Sequence, residues 1–249
     1  MADSRIGDFK KVIENLPGTP WKREDLLIPE LLLEREKDLE LYYAPYDYVN
    51  PAAKVMIVGI TPGFTQMSLS IQTAKQDLAS ASPLSDIDRR AKIEASFAGS
   101  MRVHLIAMLN ELGLPSMLGL RDSSDLFGPY RELIHTTSVI RYPLFRKGDN
   151  YTGHQPKMLS SALIRKYAMT GFANELAAVS DAVVIPLGKS VAEVLGAIAL
   201  EDERFQDGAL QQRCLFGFPH PSGANGHRKK QFEALKEEHR STLSKILLN

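Results

Sequence analysis

The sequence predicts an α/β sandwich whose central sheet has four mainly parallel strands. Four short apolar runs stand at KVMIVGI (54–60), LIHTTSVI (133–140), DAVVIPL (181–187) and RCLFGF (213–218). Three of them are near-continuous in β-branched or aromatic residues, as expected of strands covered on both faces. Helical patterns lie between them, and strands alternating with helices argue for a parallel sheet.

Taken in order, residues 1–50 form a helical or extended lead-in to the first strand. A long polar stretch from Thr61 to Gly99 interrupts the alternation and receives no element. SMRVHLIAMLNELGL (100–114) places Val103, Ile106, Leu109 and Leu112 near helical spacing and ends at Gly113, a suitable C′ residue. LSSALIRKYAMTGFANELAAVS (159–180) accommodates one helix or two, and KSVAEVLGAIAL (189–200) follows the third strand directly. From Gly226 onward Phe232, Leu235, His239 and Leu243 share one helical face.

A chain of 249 residues with 44% hydrophobic and 24% charged residues buries a sizeable core, so disorder and fibrous classes are excluded and one domain, 1–249, is expected. One cysteine, Cys214, excludes an internal disulfide, a four-cysteine zinc site or a cluster held by cysteines alone, and fits a reducing compartment. No apolar run approaches the roughly 20 residues of a bilayer span, and the N-terminus lacks a secretory h-region. A cytoplasmic protein without membrane partner, metal cluster or cofactor is expected. Thirty basic and 30 acidic residues cancel, so the whole-molecule field does not call for a polyanion. The distribution is uneven: residues 1–50 carry 11 acidic and 7 basic side chains, and residues 213–249 carry 3 and 7.

Ligands of open α/β sheets sit beyond the carboxyl ends of the strands. That rule selects TPGFTQM, RYPLFRKGDNYTG, GKS and PHPSGAN after the four runs in turn. VVIPLGKS has the back half of a phosphate-binding P-loop, but Val183 stands where the first glycine belongs, so Gly188, Lys189 and Ser190 are read as a strand-to-helix turn.

VMIVGITPG (55–63) resembles the first motif of the uracil-DNA glycosylase superfamily, a strand followed by G-x-N-P-G in its mismatch-specific and single-strand-selective branches. HPSGAN (220–225) resembles the second motif, and DAVVIPLGKSVAEVL the penultimate strand and helix. The resemblance covers roughly residues 50–240 in consistent order. It implies a three-layer α/β/α sandwich and a monofunctional DNA glycosylase, a monomer acting on DNA, that flips a pyrimidine and hydrolyses its N-glycosidic bond. Such a site must stabilise the anion that builds on the departing base and supply a water.

By this resemblance His220 donates to the pyrimidine's carbonyl oxygen. Ser222, Gly223, Ala224, Asn225 and Arg228 grip the DNA backbone, with Lys189 nearby, and His227, Lys229 and Lys230 extend the basic cluster. Gly59, Ile60, Pro62, Gly63, Phe64 and Ser138 line the base site. Four departures stand out. Thr61 replaces the family's Asn or Asp that positions the water; its hydroxyl is no general base, and Asp149 in RKGDNY is the substitute candidate. Ser138, beside Thr136 and Thr137, replaces the Asn that reads the pyrimidine edge. Gly63 replaces the tyrosine that blocks C5 substituents in the strict uracil branch, which leaves that space open, with Phe64 as a stacking face. The family's intercalating Leu or Arg corresponds to Ala224, a poor plug, for which Asn225 or Arg228 substitutes.

Small residues at these positions favour a bulky modified pyrimidine over uracil; the superfamily includes bacterial defence enzymes that remove glucosylated cytosines from phage DNA. Uracil excision in DNA repair, a catalytically silent DNA-binding relative, and a nucleoside hydrolase are the alternatives.

Overall fold

A computed structural model describes residues 4–248. Its strands are β1 (Leu32–Glu36), β2 (Leu39–Tyr42), β3 (Val55–Gly59), β4 (Ile134–Ser138), β5 (Leu144–Arg146), β6 (Asp149–Asn150) and β7 (Val183–Pro186). They form two sheets, and the chain divides into two compact units that are described in turn.

One unit comprises Asn50–Gly59, Gly99–Thr137 and the chain from Ala173 onward. Its sheet has the order β4-β3-β7. β3 and β7 run parallel, in register from Val55 opposite Val183 to Val58 opposite Pro186. At the start of β3 the Lys54 N–H donates to Leu133 C=O, and beyond its end Ile140 N–H donates to Ile60 C=O, so β4 joins like end to like end. All five residues of β3 and all four of β7 are buried, which explains their unbroken apolar sequence.

The fold is mixed α/β, with three strands where four were expected. The fourth run pairs only through Cys214, which bridges Val184 in parallel sense. Immediately afterwards the chain turns, with Phe216 N–H on Cys214 C=O and Phe218 N–H on Leu215 C=O. Gly217 makes that turn possible: its φ is +83°, and a Cβ there would stand 2.4 Å from Leu235 Cδ1.

β4 carries three buried polar residues, His135, Thr136 and Thr137. Asn50 N–H donates to His135 Nδ1 (3.4 Å), which leaves the proton on Nε2 to be donated to Glu175 Oε1 (2.6 Å). The longer helices are Ser100–Glu111, Lys189–Glu201 and Arg228–Leu247, with Gly113 at φ +77° ending the first as expected. The expected inner face of the first holds at Leu109 and Leu112, which are buried, and is corrected at Val103, which is 66% exposed; Leu105 and Met108 join the core instead. In the last helix Phe232, His239 and Leu243 are buried, as the spacing predicted. Ala173–Ala178 is a further helix of this unit, while Ala162–Tyr167 and the wider-turned segment Ala168–Phe172 that follows it belong to the other.

The other unit comprises the chain through Val49, Ile60–Ala98 and Ser138–Phe172. Its sheet, β1-β2-β5-β6, is antiparallel throughout. The β5-β6 hairpin closes through Lys147 (φ 51°) and Gly148 (φ 80°), the left-handed pair a tight two-residue turn requires. Thr61–Gly99, which received no element from the sequence, holds the helices Phe64–Ala79 and Leu84–Ala95. Met67, Ile71, Ala74 and Leu78 are the buried stripe of the first.

This unit buries a charged cluster. Asp47 accepts from Arg5 N–H (3.1 Å) and from the Tyr142 hydroxyl, and its own N–H donates to Asp88 Oδ1 (3.2 Å). Lys92 Nζ donates to Tyr48 C=O (2.6 Å). Burial, reinforced by the charge of Asp47, pushes the Asp88 carboxyl up to about 6. The native state therefore holds this proton more tightly than the unfolded chain, and stability falls as pH rises from about 4 to 6. Asp88→Asn keeps the acceptor for Asp47 N–H and removes the charge. Urea unfolding is expected to show the variant about 2–3 kcal/mol more stable than the parent at pH 7.5 and nearly equal to it at pH 4.

Candidate active site

The loop after β3 is built from Ile60, Thr61, Pro62 and Gly63 and leads into the helix Phe64–Ala79. Thr61 is half-buried. Its hydroxyl donates to Tyr142 C=O (2.8 Å) and accepts from Leu144 N–H (3.0 Å), tying the loop to the chain entering β5. The donor is thereby used, and what the oxygen still offers is a lone pair, which can accept one hydrogen of a water.

Gly63 opens the helix, its N–H donating to Gln66 Oε1 (3.1 Å). The space beside it is filled, which corrects the expectation of an open wall. A Cβ on Gly63 would stand 3.1 Å from both Asn150 Nδ2 and Gln66 Oε1. Asn150 Oδ1 accepts from Phe64 N–H (2.9 Å). Phe64 has a cation over its ring: the Arg23 guanidinium lies 5.1 Å from its centroid and 5.6 Å from that of Phe145, and donates to Gly148 C=O (2.7 Å). The stacking face expected of Phe64 is therefore shared with Arg23.

Asp149 is exposed in β6, next to Asn150. Successive side chains of a strand point to opposite faces, so the residue that reaches Phe64 is Asn150, and Asp149 is directed away from it. This geometry does not place Asp149 as the base for a water held at Thr61. Ser138 ends β4, half-buried, with the Thr137 hydroxyl beside it buried and without a hydrogen-bond partner among the described residues.

In the other unit the chain leaves the Cys214 bridge and its turn, passes Phe218 and Pro219, both buried, and reaches His220. Ser222 N–H donates to His220 Nδ1 (3.2 Å). A main-chain N–H is always a donor, so Nδ1 is the acceptor and the neutral ring carries its proton on Nε2. The loop is braced from several sides. His104 Nδ1 lies 2.8 Å from Pro221 C=O, and Arg228 donates to the carbonyls of Pro221 (3.0 Å) and Ser222 (2.9 Å). Asn225 Nδ2 donates to His220 C=O (3.2 Å).

The amides expected to receive a phosphate are largely engaged within the loop. Ala224 N–H donates to Ser222 Oγ (3.1 Å), Asn225 N–H to Ser222 C=O (3.1 Å) and Gly226 N–H to Ala224 C=O (3.2 Å). Gly223 N–H has no hydrogen bond among the described residues and is exposed. Neither Gly223 nor Gly226 has left-handed φ or a neighbour within 4 Å of a built Cβ, so nothing among the described residues requires glycine there. Lys189 extends into solvent and pairs with Glu193 at 3.8 Å.

Gly188 has a structural task. Its φ is +90° and ψ is 170°, and a Cβ there would lie 3.2 Å from His220 Cβ. Its N–H donates to Phe218 C=O (2.9 Å), so the turn that resembles half a P-loop is the seat of His220. Gly188→Ala is expected to lower the melting temperature by roughly 3–10 °C, from backbone strain of about 1–3 kcal/mol, and to displace His220. Thermal unfolding checks the first effect, and the histidine's ring resonances check the second.

The sequence of the described motifs matches a profile of the Uracil DNA glycosylase superfamily over residues 46–244, four-fifths of the chain. The chain belongs to the uracil-DNA glycosylase superfamily. It is also 41% identical over 238 residues to the uncharacterized protein YoxB of Bacillus subtilis (strain 168), across 94% of this chain and 90% of that protein. Within this superfamily member, the structure brings Thr61, Pro62, Gly63 and Phe64 together with the β5-β6 hairpin. It separately brings His220 together with Gly188 and the loop Ser222–Arg228. Sequence reasoning missed Arg23, His104, Tyr142 and Asn150. Each acts through a main-chain contact distant in sequence, which leaves no local signature. Burial pushes the Cys214 thiol far up, removing it as a nucleophile. Among the described residues no cluster of His, Cys, Asp or Glu is disposed to hold a metal, and no helix is long and apolar enough to cross a membrane.

Proposed function

We propose that the chain is a monofunctional DNA glycosylase that extrudes a pyrimidine, hydrolyses its N-glycosidic bond and leaves an abasic site. The observation that carries this reading is the tautomer of His220: Ser222 N–H occupies Nδ1, so Nε2–H is held as a donor. Such a donor strengthens its hydrogen bond as negative charge develops on the carbonyl oxygen of a departing base.

In the reaction the bond from C1′ to the base nitrogen breaks with its electron pair, the base leaves as an anion, and the oxocarbenium-like sugar takes a water at C1′. Thr61 accepts one hydrogen of that water through its remaining lone pair. No carboxylate is hydrogen-bonded to Thr61 among the described residues, and the proton passes to solvent or to the DNA phosphate after attack. A loop whose glycines answer no internal need, followed by Arg228, Lys229 and Lys230, supports close approach of a phosphate backbone. Intercalation falls to Asn225 or Arg228, since Ala224 is too small.

A modified pyrimidine is favoured over uracil because Ser138 and Thr61 stand where amide or carboxylate side chains select uracil. Glucosylated hydroxymethylcytosine, as in phage DNA, is the substrate this favours, which would make the protein a defence enzyme of the cytosol.

The test is base release, followed by mass spectrometry, from DNAs carrying uracil, 5-hydroxymethylcytosine or glucosylated 5-hydroxymethylcytosine. Release of a modified base supports the reading, and release of uracil alone replaces the modified base with uracil as substrate. Salt-dependent DNA binding with no release from any of the three identifies a silent binding relative instead.

A further inference from the structure

Asn150 is fixed in one orientation by a main-chain group. Phe64 N–H can only donate, so the carboxamide oxygen must face it, and the Nδ2 group must point the other way. That NH2 group has no hydrogen bond among the described residues, and the residue is exposed. Its location is specific: Nδ2 lies 3.1 Å and Cγ 3.3 Å from where a side chain on Gly63 would begin. An amide thus forms the wall of the loop after β3, at the carboxyl end of a strand where α/β sheets receive ligands. The same amide caps the helix Phe64–Ala79, so its position is held whether or not a ligand is present.

We propose that Asn150 is a recognition residue of the glycosylase site, donating from Nδ2 to an oxygen carried on C5 of the extruded pyrimidine, a hydroxymethyl group or its glycoside. This rests on the glycosylase reading. Position 63 is the one whose side chain meets C5 in relatives, and here the amide occupies the adjoining space. A group that offers only donors selects an acceptor. The methyl group of thymine has none and leaves the amide unpaired, so ordinary DNA is discriminated against.

Asn150→Asp is the decisive variant, because a carboxylate still accepts from Phe64 N–H and keeps the helix cap while losing both donors. Measured on 5-hydroxymethylcytosine and glucosylated 5-hydroxymethylcytosine DNA, it is expected to raise KM by about tenfold or more, the size of one lost hydrogen bond. The melting temperature, and the Kd for DNA carrying a tetrahydrofuran abasic analogue that has no base to contact, should stay at parental values. Asn150→Ala, which loses cap and donors together, should show the same KM defect with a lower melting temperature. A parental KM in Asn150→Asp overturns the proposal while the glycosylase reading stands. So does a loss of abasic-DNA affinity equal to the loss on substrate, which marks charge repulsion rather than recognition. Absence of base release by the parent protein overturns both.

Discussion

His220→Ala is expected to slow base release by about 10²- to 10³-fold, the usual effect of removing one donor to a developing oxyanion. The size follows from what the side chain offers. Its Nε2–H is held in place by Ser222 N–H at Nδ1, and the backbone on either side is fixed by Gly188, His104, Arg228 and Asn225. No reorganisation is needed when charge appears on the base. Because the role proposed for the histidine is toward the departing base and not the backbone grip, the variant should bind abasic DNA with nearly parental affinity. Single-turnover base release and equilibrium binding, measured side by side, separate the two effects. A parallel loss of binding would instead make His220 a structural member of the loop.

Glu175→Ala should produce the largest stability change. Glu175 and His135 are both essentially removed from water and meet at 2.6 Å, with Asn50 N–H fixing the histidine from its other side. Removing Glu175 leaves the buried Nε2–H of the ring without its acceptor and a cavity where the side chain stood, at a combined cost of about 3–5 kcal/mol. For a chain of 249 residues this is about 10 °C in melting temperature. His135→Ala should cost a similar amount, and the double variant far less than the sum, since neither orphan remains. Additive losses in that cycle would show that the two residues are stabilised independently. β4 ends in Ser138, so the defect should also appear in substrate selectivity.

The parallel sheet was legible because its strands are buried on both faces and so carry unbroken apolar runs; VMIVG and VVIP declare themselves. RCLFGF has the same look but forms a single bridge, because Gly217 turns the chain at once and Leu235 closes over it. The antiparallel sheet was missed for the opposite reason. LLERE and LELY are short and mixed in character, and β6 has only two residues. Such strands are defined by their partners rather than by their own pattern. Thr61–Gly99 concealed two helices because polar residues dilute the Met67, Ile71, Ala74 and Leu78 stripe.

HPS and the residues around Thr61 were readable as motifs because each is a short contiguous run of the sequence. The filled space beside Gly63 was not readable. The residue that fills it lies 87 positions further along the chain, and among the described residues its one hydrogen bond to the loop is to a main-chain group. Asp149, chosen over its neighbour for its charge, is set aside by the alternation of a strand that the sequence had not revealed.

The packing of Gly63 against Asn150 and Gln66 also orders the changes this wall can undergo. A larger residue at 63 is admitted only after the amides have drawn back, whereas shortening Asn150 is possible at once and leaves a void that a later side chain at 63 can occupy. Substitutions at the two positions are therefore history-dependent. A library that varies the pair therefore reaches arrangements that one varying position 63 alone reaches only where the Asn150 and Gln66 side chains give by a few tenths of an ångström.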